Sequence, residues 1–181
     1  MSTPDDQARR RRFAQVALPH LDSAYNLARW LTRDERDAED VVQEAYLRAL
    51  RFIDGFHGTD GRAWLLAIVR NTCFSWMEKN RPRNMQPFDD ETLNLPGAPE
   101  AGPEACAERA ADELALHRAI AALPLGLREV LVLRELEELS YKEIARVADV
   151  PIGTVMSRLA RARAHLAESA HLAPQPKGKA R

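Results

Sequence analysis

The chain has few of the residues that build metal sites, disulfide frameworks or membrane spans. Its two cysteines, Cys73 and Cys106, stand outside any CxxC motif, and its five histidines show no ligand spacing. This pattern predicts reduced thiols and no metal or other cofactor. No apolar run approaches the roughly 20 residues that cross a bilayer, and the N-terminus lacks the apolar core of a secretory signal. The sequence therefore indicates a soluble, intracellular protein without membrane insertion.

Glycine is also scarce, with eight residues in 181, and apolar residues recur at helical rather than alternating spacing. We therefore expect an all-α protein. In the N-terminal domain, residues 11–83, three helices are predicted at about 11–32, 35–53 and 62–80. The loop 54–61 lies between the last two, and its three glycines permit positive φ and close approach of a ligand.

Charge is distributed unevenly along the chain, although the net charge is −1. Residues 1–83 hold 14 basic and 12 acidic side chains, residues 84–113 hold 1 and 8, and residues 114–181 hold 11 and 7. Basic ends suit a polyanionic partner. A proline-rich linker is predicted at 84–107, because proline at this density blocks helix and sheet. It is either a solvated tether or an acidic strand that mimics nucleic acid in a basic channel.

A second helical domain is predicted at 108–170, followed by a disordered tail at 171–181. Within it, LSYKEIARVADVPIGTVMSRLARARAHL indicates a helix, a tight turn and a second helix. Ser140 and Glu143 have capping-box spacing, and Pro151 marks the turn. An inward stripe on the second helix comprises Val155, Leu159, Ala162 and Leu166.

The outer face of that second helix carries small and basic residues, which suits the major groove of DNA. The alternative is a plain helical hairpin with solvated arginines. Helix 62–80 interleaves aromatic with polar and basic side chains, a pattern that favours single-stranded nucleic acid. In that helix Trp64 is better explained as core, whereas Trp76 fits either explanation.

Three motifs in this order resemble the extracytoplasmic-function (ECF) subfamily of bacterial sigma factors. They are DAEDVVQEAYLRAL, then WLLAIVRNTCFSWM, then LPLGLREVLVLRELEELSYKEIARVADVPIGTVMSRLARARAHL after the proline-rich break. The resemblance covers about residues 13–168. It implies a subunit of RNA polymerase that recognises promoters and aids strand opening, and that is itself no enzyme. It also implies a cytoplasmic protein and an anti-sigma factor as a further partner.

The resemblance implies three binding surfaces. The helix at 35–53 would dock on the clamp of core polymerase through Asp40, Gln43, Glu44 and Arg48. The loop 54–61 and helix 62–80 would read the −10 element as a separated strand through Asn71, Thr72, Ser75, Lys79 and Asn80. In duplex −35 DNA, the groove would face Met156, Ser157, Ala160 and Arg161, and phosphates would be held by Arg134, Lys142, Arg158 and Arg163.

Two alternatives come from other classes of protein. A helix-turn-helix repressor or activator would bind duplex DNA without polymerase. An enzyme would need a buried polar constellation at the glycine loop, where only Asp54, His57 and Asp60 are candidates. The linker length agrees with the sigma interpretation. Promoter elements two helical turns apart are roughly 70 Å from one another, and about 24 extended residues reach roughly 80 Å.

Overall fold

The structure, a computed structural model, describes residues 4–80 and 104–172, with side chains over 6–80 and 113–169. Every regular element within those ranges is a helix, which confirms the all-α prediction. The helices form two groups: a bundle before the predicted linker and a helix-turn-helix domain after it. Most of that linker, residues 84–103, and the end of the predicted tail lie outside the described residues.

The N-terminal domain contains four helices rather than three. They are α1 (Pro4–Val16), α2 (Leu21–Thr32), α3 (Glu35–Phe52) and α4 (Gly61–Asn80). The single helix expected at 11–32 is wrong, because the chain breaks at a short 3₁₀ turn, Leu18–His20. Pro19 lies in that turn, where its missing N–H and fixed φ prevent an uninterrupted α-helix.

The starts and ends of α3 and α4 agree with the predicted helices to within one residue. Asp34 caps α3, since its carboxylate accepts hydrogen bonds from the backbone N–H groups of Arg36 (2.8 Å) and Asp37 (3.0 Å). Small residues on α2 and α3 let the helices approach closely, and larger apolar side chains fill the space beside them. The fully buried members include Ala24, Leu27, Ala28, Ala38, Val41, Ala45, Ala49, Leu65, Leu66 and Val69.

The glycine loop does not use the conformational freedom that its composition permits. None of the described glycines has a positive φ. Gly61 is required for a different reason, because a Cβ atom there would lie 2.8 Å from both Cγ1 and the carbonyl oxygen of Val16. The glycine therefore allows the start of α4 to pack against the end of α1, and the close approach is made by protein rather than by a ligand.

The C-terminal domain contains α5 (Glu104–Ala121), α6 (Leu125–Leu131), α7 (Tyr141–Ala148) and α8 (Ile152–Leu172). A π-helical turn, Val132–Leu136, follows α6. Helix α5 begins inside the predicted linker, and α8 extends into the predicted tail.

The predicted helix-turn-helix is confirmed. The Ser140 hydroxyl accepts from the N–H of Glu143, and the Glu143 carboxylate accepts from the N–H of Ser140 at 2.7 Å. Asp149 ends α7 in a left-handed conformation, with φ 53°. Val155, Leu159 and Ala162 of α8 are buried, as their spacing predicted.

The two domains also pack against one another. Helix α4 contacts α7, and α2 contacts α6. This contact was not predicted from the sequence. It determines which groups surround several of the candidate site residues.

We expect Ser140→Ala to lower the free energy of unfolding by about 1 kcal/mol at neutral pH. Hydrogen bonds from Ser140 hold the pKa of Glu143 below its ordinary value. A carboxylate with a lowered pKa contributes stability above its unfolded pKa and loses it as the pH falls through the folded one. The deficit of the variant should therefore shrink in acid, as measured by urea unfolding followed by circular dichroism. Ser157→Ala, at an exposed position on α8, is the control, and a deficit that does not change with pH would contradict the capping account.

Candidate nucleic-acid interface

The outer face of α3 carries one continuous stripe of exposed and half-buried side chains: Asp40, Gln43, Glu44, Leu47 and Arg48. Its members are three or four residues apart, so they lie on the same side of the helix. Leu47 lies within the stripe and is 53% exposed. Glu44 and Arg48 form an ion pair across one turn at 2.9 Å. The stripe contains all four predicted polymerase-binding residues, of which Asp40 and Gln43 are exposed and Glu44 and Arg48 are half-buried.

Helix α4 presents a second surface, and most of the predicted strand-binding residues lie on it. Asn71, Lys79 and Asn80 are exposed, and Ser75 is half-buried. Thr72 differs from them because it is 2% exposed and its hydroxyl donates to the carbonyl of Ile68 at 2.7 Å. Its assignment to the strand-binding set is therefore withdrawn.

Residues of the loop before α4 fix its conformation through a helix cap and a ring contact. Asp60 accepts a hydrogen bond from the N–H of Ala63 at 2.9 Å and so caps the helix. Phe56 is buried, and its ring centroid lies 4.9 Å from that of the half-buried Trp64. Asp54 and His57 are exposed. These three polar residues of the loop do not form the buried constellation that an enzyme would need.

The outer face of α8 forms the third surface. Met156 is 54% exposed, and three further predicted groove residues, Ser157, Ala160 and Arg161, are exposed beside it. The Ser157 hydroxyl donates to the carbonyl of Thr154 at 3.0 Å, so it already has one partner within the helix. The side chains of Ser157 and Ala160 are short, so Arg161 is the one long cationic side chain among these four residues.

The four predicted phosphate contacts divide into two pairs. Lys142 and Arg163 are exposed, and Arg163 pairs with Glu135 at 2.7 Å. Arg134 is half-buried, donates to the carbonyl of Leu139 at 2.8 Å and lies over the ring of Tyr141.

Arg158 packs against α6 within its own domain. Its guanidinium carbon lies 3.4 Å from where a Cβ atom on Gly126 would be, and its Nη1 is 3.8 Å from the Glu129 carboxylate. Arg134 and Arg158 therefore stabilise the domain in this structure, and the prediction that they hold phosphates is withdrawn.

The contact between the domains contains a buried carboxylate that the sequence analysis missed. Glu129, on α6, is fully buried. Its Oε1 accepts a hydrogen bond of 2.6 Å from Nε of Arg70, on α4. Burial raises the pKa of Glu129, and the neighbouring Arg70 and Arg158 guanidinium groups oppose that rise. A charged residue inside the apolar run LREVLVL was the available signal.

A second acidic residue repeats this arrangement. Glu137 is 3% exposed, and its two oxygens accept from Asn26 at 2.6 Å and from Arg62. At the edge of the contact, Arg146 of α7 reaches Asp60 at 3.3 Å. Charged and polar groups thus join the C-terminal domain to the loop and helix predicted to read the −10 element.

No helix within the described ranges is long and apolar enough to span a membrane. Family models for sigma-70 region 2 and for sigma-70 region 4 match residues 17–83 and 113–166. These two stretches contain the α2–α4 bundle and the helix-turn-helix domain.

Among relatives, the ECF RNA polymerase sigma-E factor of Escherichia coli K12 is 37% identical over 134 residues, covering 70% of each chain. The ECF RNA polymerase sigma factor SigE of Mycolicibacterium smegmatis is 30% identical over 161 residues, covering 89% of this chain and 62% of that protein.

Solved structures with the same fold include two sigma factors in complexes. RpoE from Bartonella quintana, bound to the anti-sigma factor NepR, has a TM-score of 0.66 and 26% identity, covering 90% of this chain and 98% of that one. CnrH, bound to the cytosolic domain of CnrY, has a TM-score of 0.63 and 25% identity, with 91% of each chain covered. With both sigma-70 regions present in order, the chain belongs to the ECF sigma factors of the sigma-70 family, and it directs RNA polymerase to specific promoters and aids strand opening at initiation.

Proposed function

We propose that the three exposed surfaces divide the work of initiation. The α3 stripe docks on the clamp of core polymerase, α4 with the loop before it binds the separated strand of the −10 element, and α8 reads duplex −35 DNA. The observation that carries this division is the exposure of Met156, Ser157, Ala160 and Arg161 on a capped helix-turn-helix, on a chain that also exposes the α3 stripe.

The proposed contact residues are exposed or half-buried, and those of each set lie on one helix or within one domain. They are Asp40, Gln43, Glu44 and Arg48 for polymerase; Asn71, Ser75, Lys79 and Asn80 for the −10 strand; and Lys142, Met156, Ser157, Ala160, Arg161 and Arg163 for −35 DNA. Run-off transcription with core enzyme on genomic promoters tests the whole assignment. Sequence-specific binding to duplex DNA at nanomolar concentration without core would instead favour a repressor.

We also propose that the chain itself catalyses no reaction and works in the cytoplasm, where RNA polymerase and the chromosome are found. The polar residues of the glycine loop are exposed or are engaged in helix capping, so they are unsuited to acid–base chemistry. The two solved sigma factors above were captured with NepR and with CnrY. We propose a regulator of that kind, an anti-sigma factor, as a partner of this chain.

The clamp assignment predicts that Asp40→Ala with Gln43→Ala weakens association with core polymerase by roughly tenfold, the effect of losing about 1.4 kcal/mol of interface energy. Both side chains are exposed, so their removal leaves no cavity and helical content should not change. Competition with the parent protein for core polymerase measures the loss. The matched control, Asp22→Ala with Gln15→Ala, removes the same residue types from exposed positions on α2 and α1. Equal loss in both double variants, or in neither, would rule out the assignment of α3.

The DNA-reading assignments predict opposite effects on two templates. Arg161→Ala should reduce transcription from duplex promoters that depend on the upstream element, because a direct base contact is worth roughly 1–3 kcal/mol. It should spare a pre-melted template. Lys79→Ala and Asn80→Ala should impair use of the separated strand instead. Run-off transcription on duplex and pre-melted versions of one promoter separates the two effects.

Arg118→Ala is the control for Arg161→Ala, because it removes an exposed arginine from α5 of the same domain. Equal loss by Arg161→Ala on both templates would mean that the variant is misfolded or that α8 does not read the upstream element.

A further inference from the structure

Two arginines of α4 are neutralised by carboxylates from the other domain. Arg70 donates from Nε to Glu129 at 2.6 Å, and Arg62 donates from Nη2 to Glu137. The glutamate side chains are 1% and 4% exposed, whereas those of Arg70 and Arg62 are 18% and 32% exposed. The two guanidinium groups therefore lie at the boundary of the contact, with the carboxylates inside it.

Arg70 lies beside the surface of α4 proposed above to bind the −10 strand, whereas Arg62 points toward α2, where it donates to the Ser23 hydroxyl at 3.3 Å. Arg70 directly precedes Asn71 and donates to its amide oxygen at 3.2 Å. It also lies 4.1 Å from the centroid of the Phe74 ring, one turn further along. Arg62 is at the start of α4, next to the loop, and the step of eight positions from Arg62 to Arg70 corresponds to a rise of about 12 Å. We expect a strand that crosses from the loop to this helix to pass both guanidinium groups.

The guanidinium groups of Arg62 and Arg70 can bind either a carboxylate or a phosphate. A guanidinium group binds carboxylate and phosphate oxygens through the same planar array of N–H donors. It cannot serve both ligands fully at once. Contact with the C-terminal domain therefore competes with any phosphate that approaches Arg62 or Arg70.

We propose that Arg62 and Arg70 bind backbone phosphates of the separated promoter strand, and that Glu129 and Glu137 occupy them while the domains are in contact. This inference rests on the proposed role of α4, and it adds two phosphate-binding residues and a competing acidic pair from the same chain. The two glutamates hold the positions that phosphates take when DNA is bound.

Separation of the domains leaves no buried charge without a partner. Glu129 keeps Arg158 of its own domain, 3.8 Å away. Glu137 follows the π-helical turn at the domain boundary, so it passes into water when Arg62 and Asn26 leave. An unpaired buried charge is strongly unfavourable. Because each glutamate has either another arginine or water to offset its charge, the exchange of carboxylate for phosphate can be reversible.

The test measures binding of the free full-length chain to a labelled single-stranded DNA oligonucleotide of mixed sequence, since phosphate contacts are independent of sequence. Glu137→Gln keeps the size of the side chain and removes its charge, so we expect it to strengthen binding. In that background, Arg62→Ala should weaken binding roughly fivefold at 0.1 M salt, and the slope of log affinity against log salt should fall by about 0.7 for the lost contact. Arg70→Ala should do the same independently.

The matched control is Arg36→Ala in the Glu137→Gln background, which removes an exposed arginine at the start of α3 and should change binding little. If Arg62 only holds the domains together, Arg62→Ala and Glu137→Gln will each strengthen binding and the double variant will bind as Glu137→Gln does. That result would overturn the proposal, as would failure of Glu137→Gln to gain affinity. Run-off transcription by the parent chain with core polymerase reads the proposed function separately, so either result leaves that function standing.

Discussion

The arrangement of the two domains depends on the pairing of the buried Glu129 carboxylate with arginine side chains. It is almost entirely buried, and arginines from two helices pair with it: Arg70 on α4 and Arg158 on α8. A charge in this position is tolerated only when it is paired, because desolvation otherwise costs several kcal/mol. The helix proposed to bind the −10 strand and the helix proposed to read −35 DNA are therefore positioned against one side chain.

The rest of the contact between the domains combines polar pairs with apolar packing, which includes the Trp30 and His117 rings, 4.9 Å apart. Glu137 with Arg62 and Asn26, and Asp60 with Arg146, add to the Glu129 pairing. Both domains bury apolar side chains, for example Leu27 and Leu66 in the first and Ile144 and Leu159 in the second, and these belong to one continuous cluster. Interfaces between domains that are rich in polar groups resemble transient ones. Simultaneous reading of two distant promoter elements requires the domains to separate, which breaks these polar pairs and exposes the apolar side chains packed between the domains.

The sequence predicted whatever depends on local periodicity and capping. The helix-turn-helix, its capping box at Ser140 and the buried stripe of α8 all follow from spacing. Arg158 and Thr72 were misassigned although the same spacing was available. Arg158 is three residues after Val155 and four before Ala162, and Thr72 is three residues after Val69, so both fall on buried faces. Contact between the domains could not be predicted from the sequence. Helical periodicity describes one helix at a time, and it contains no information about which distant carboxylate pairs with an arginine.

The central claim is that contact between the domains and promoter reading exclude one another, and a distance between two labels tests it most directly. Gln15→Cys and Ala167→Cys place exposed thiols on α1 and α8, with Cys106→Ser to remove a competing thiol. Cys73 is buried, and burial raises its thiol pKa to about 12, so it resists labelling. We predict one short distance in the free protein and a much longer one in holoenzyme bound to promoter DNA, where the two elements are roughly 70 Å apart. The same short distance in the promoter-bound complex would contradict the account.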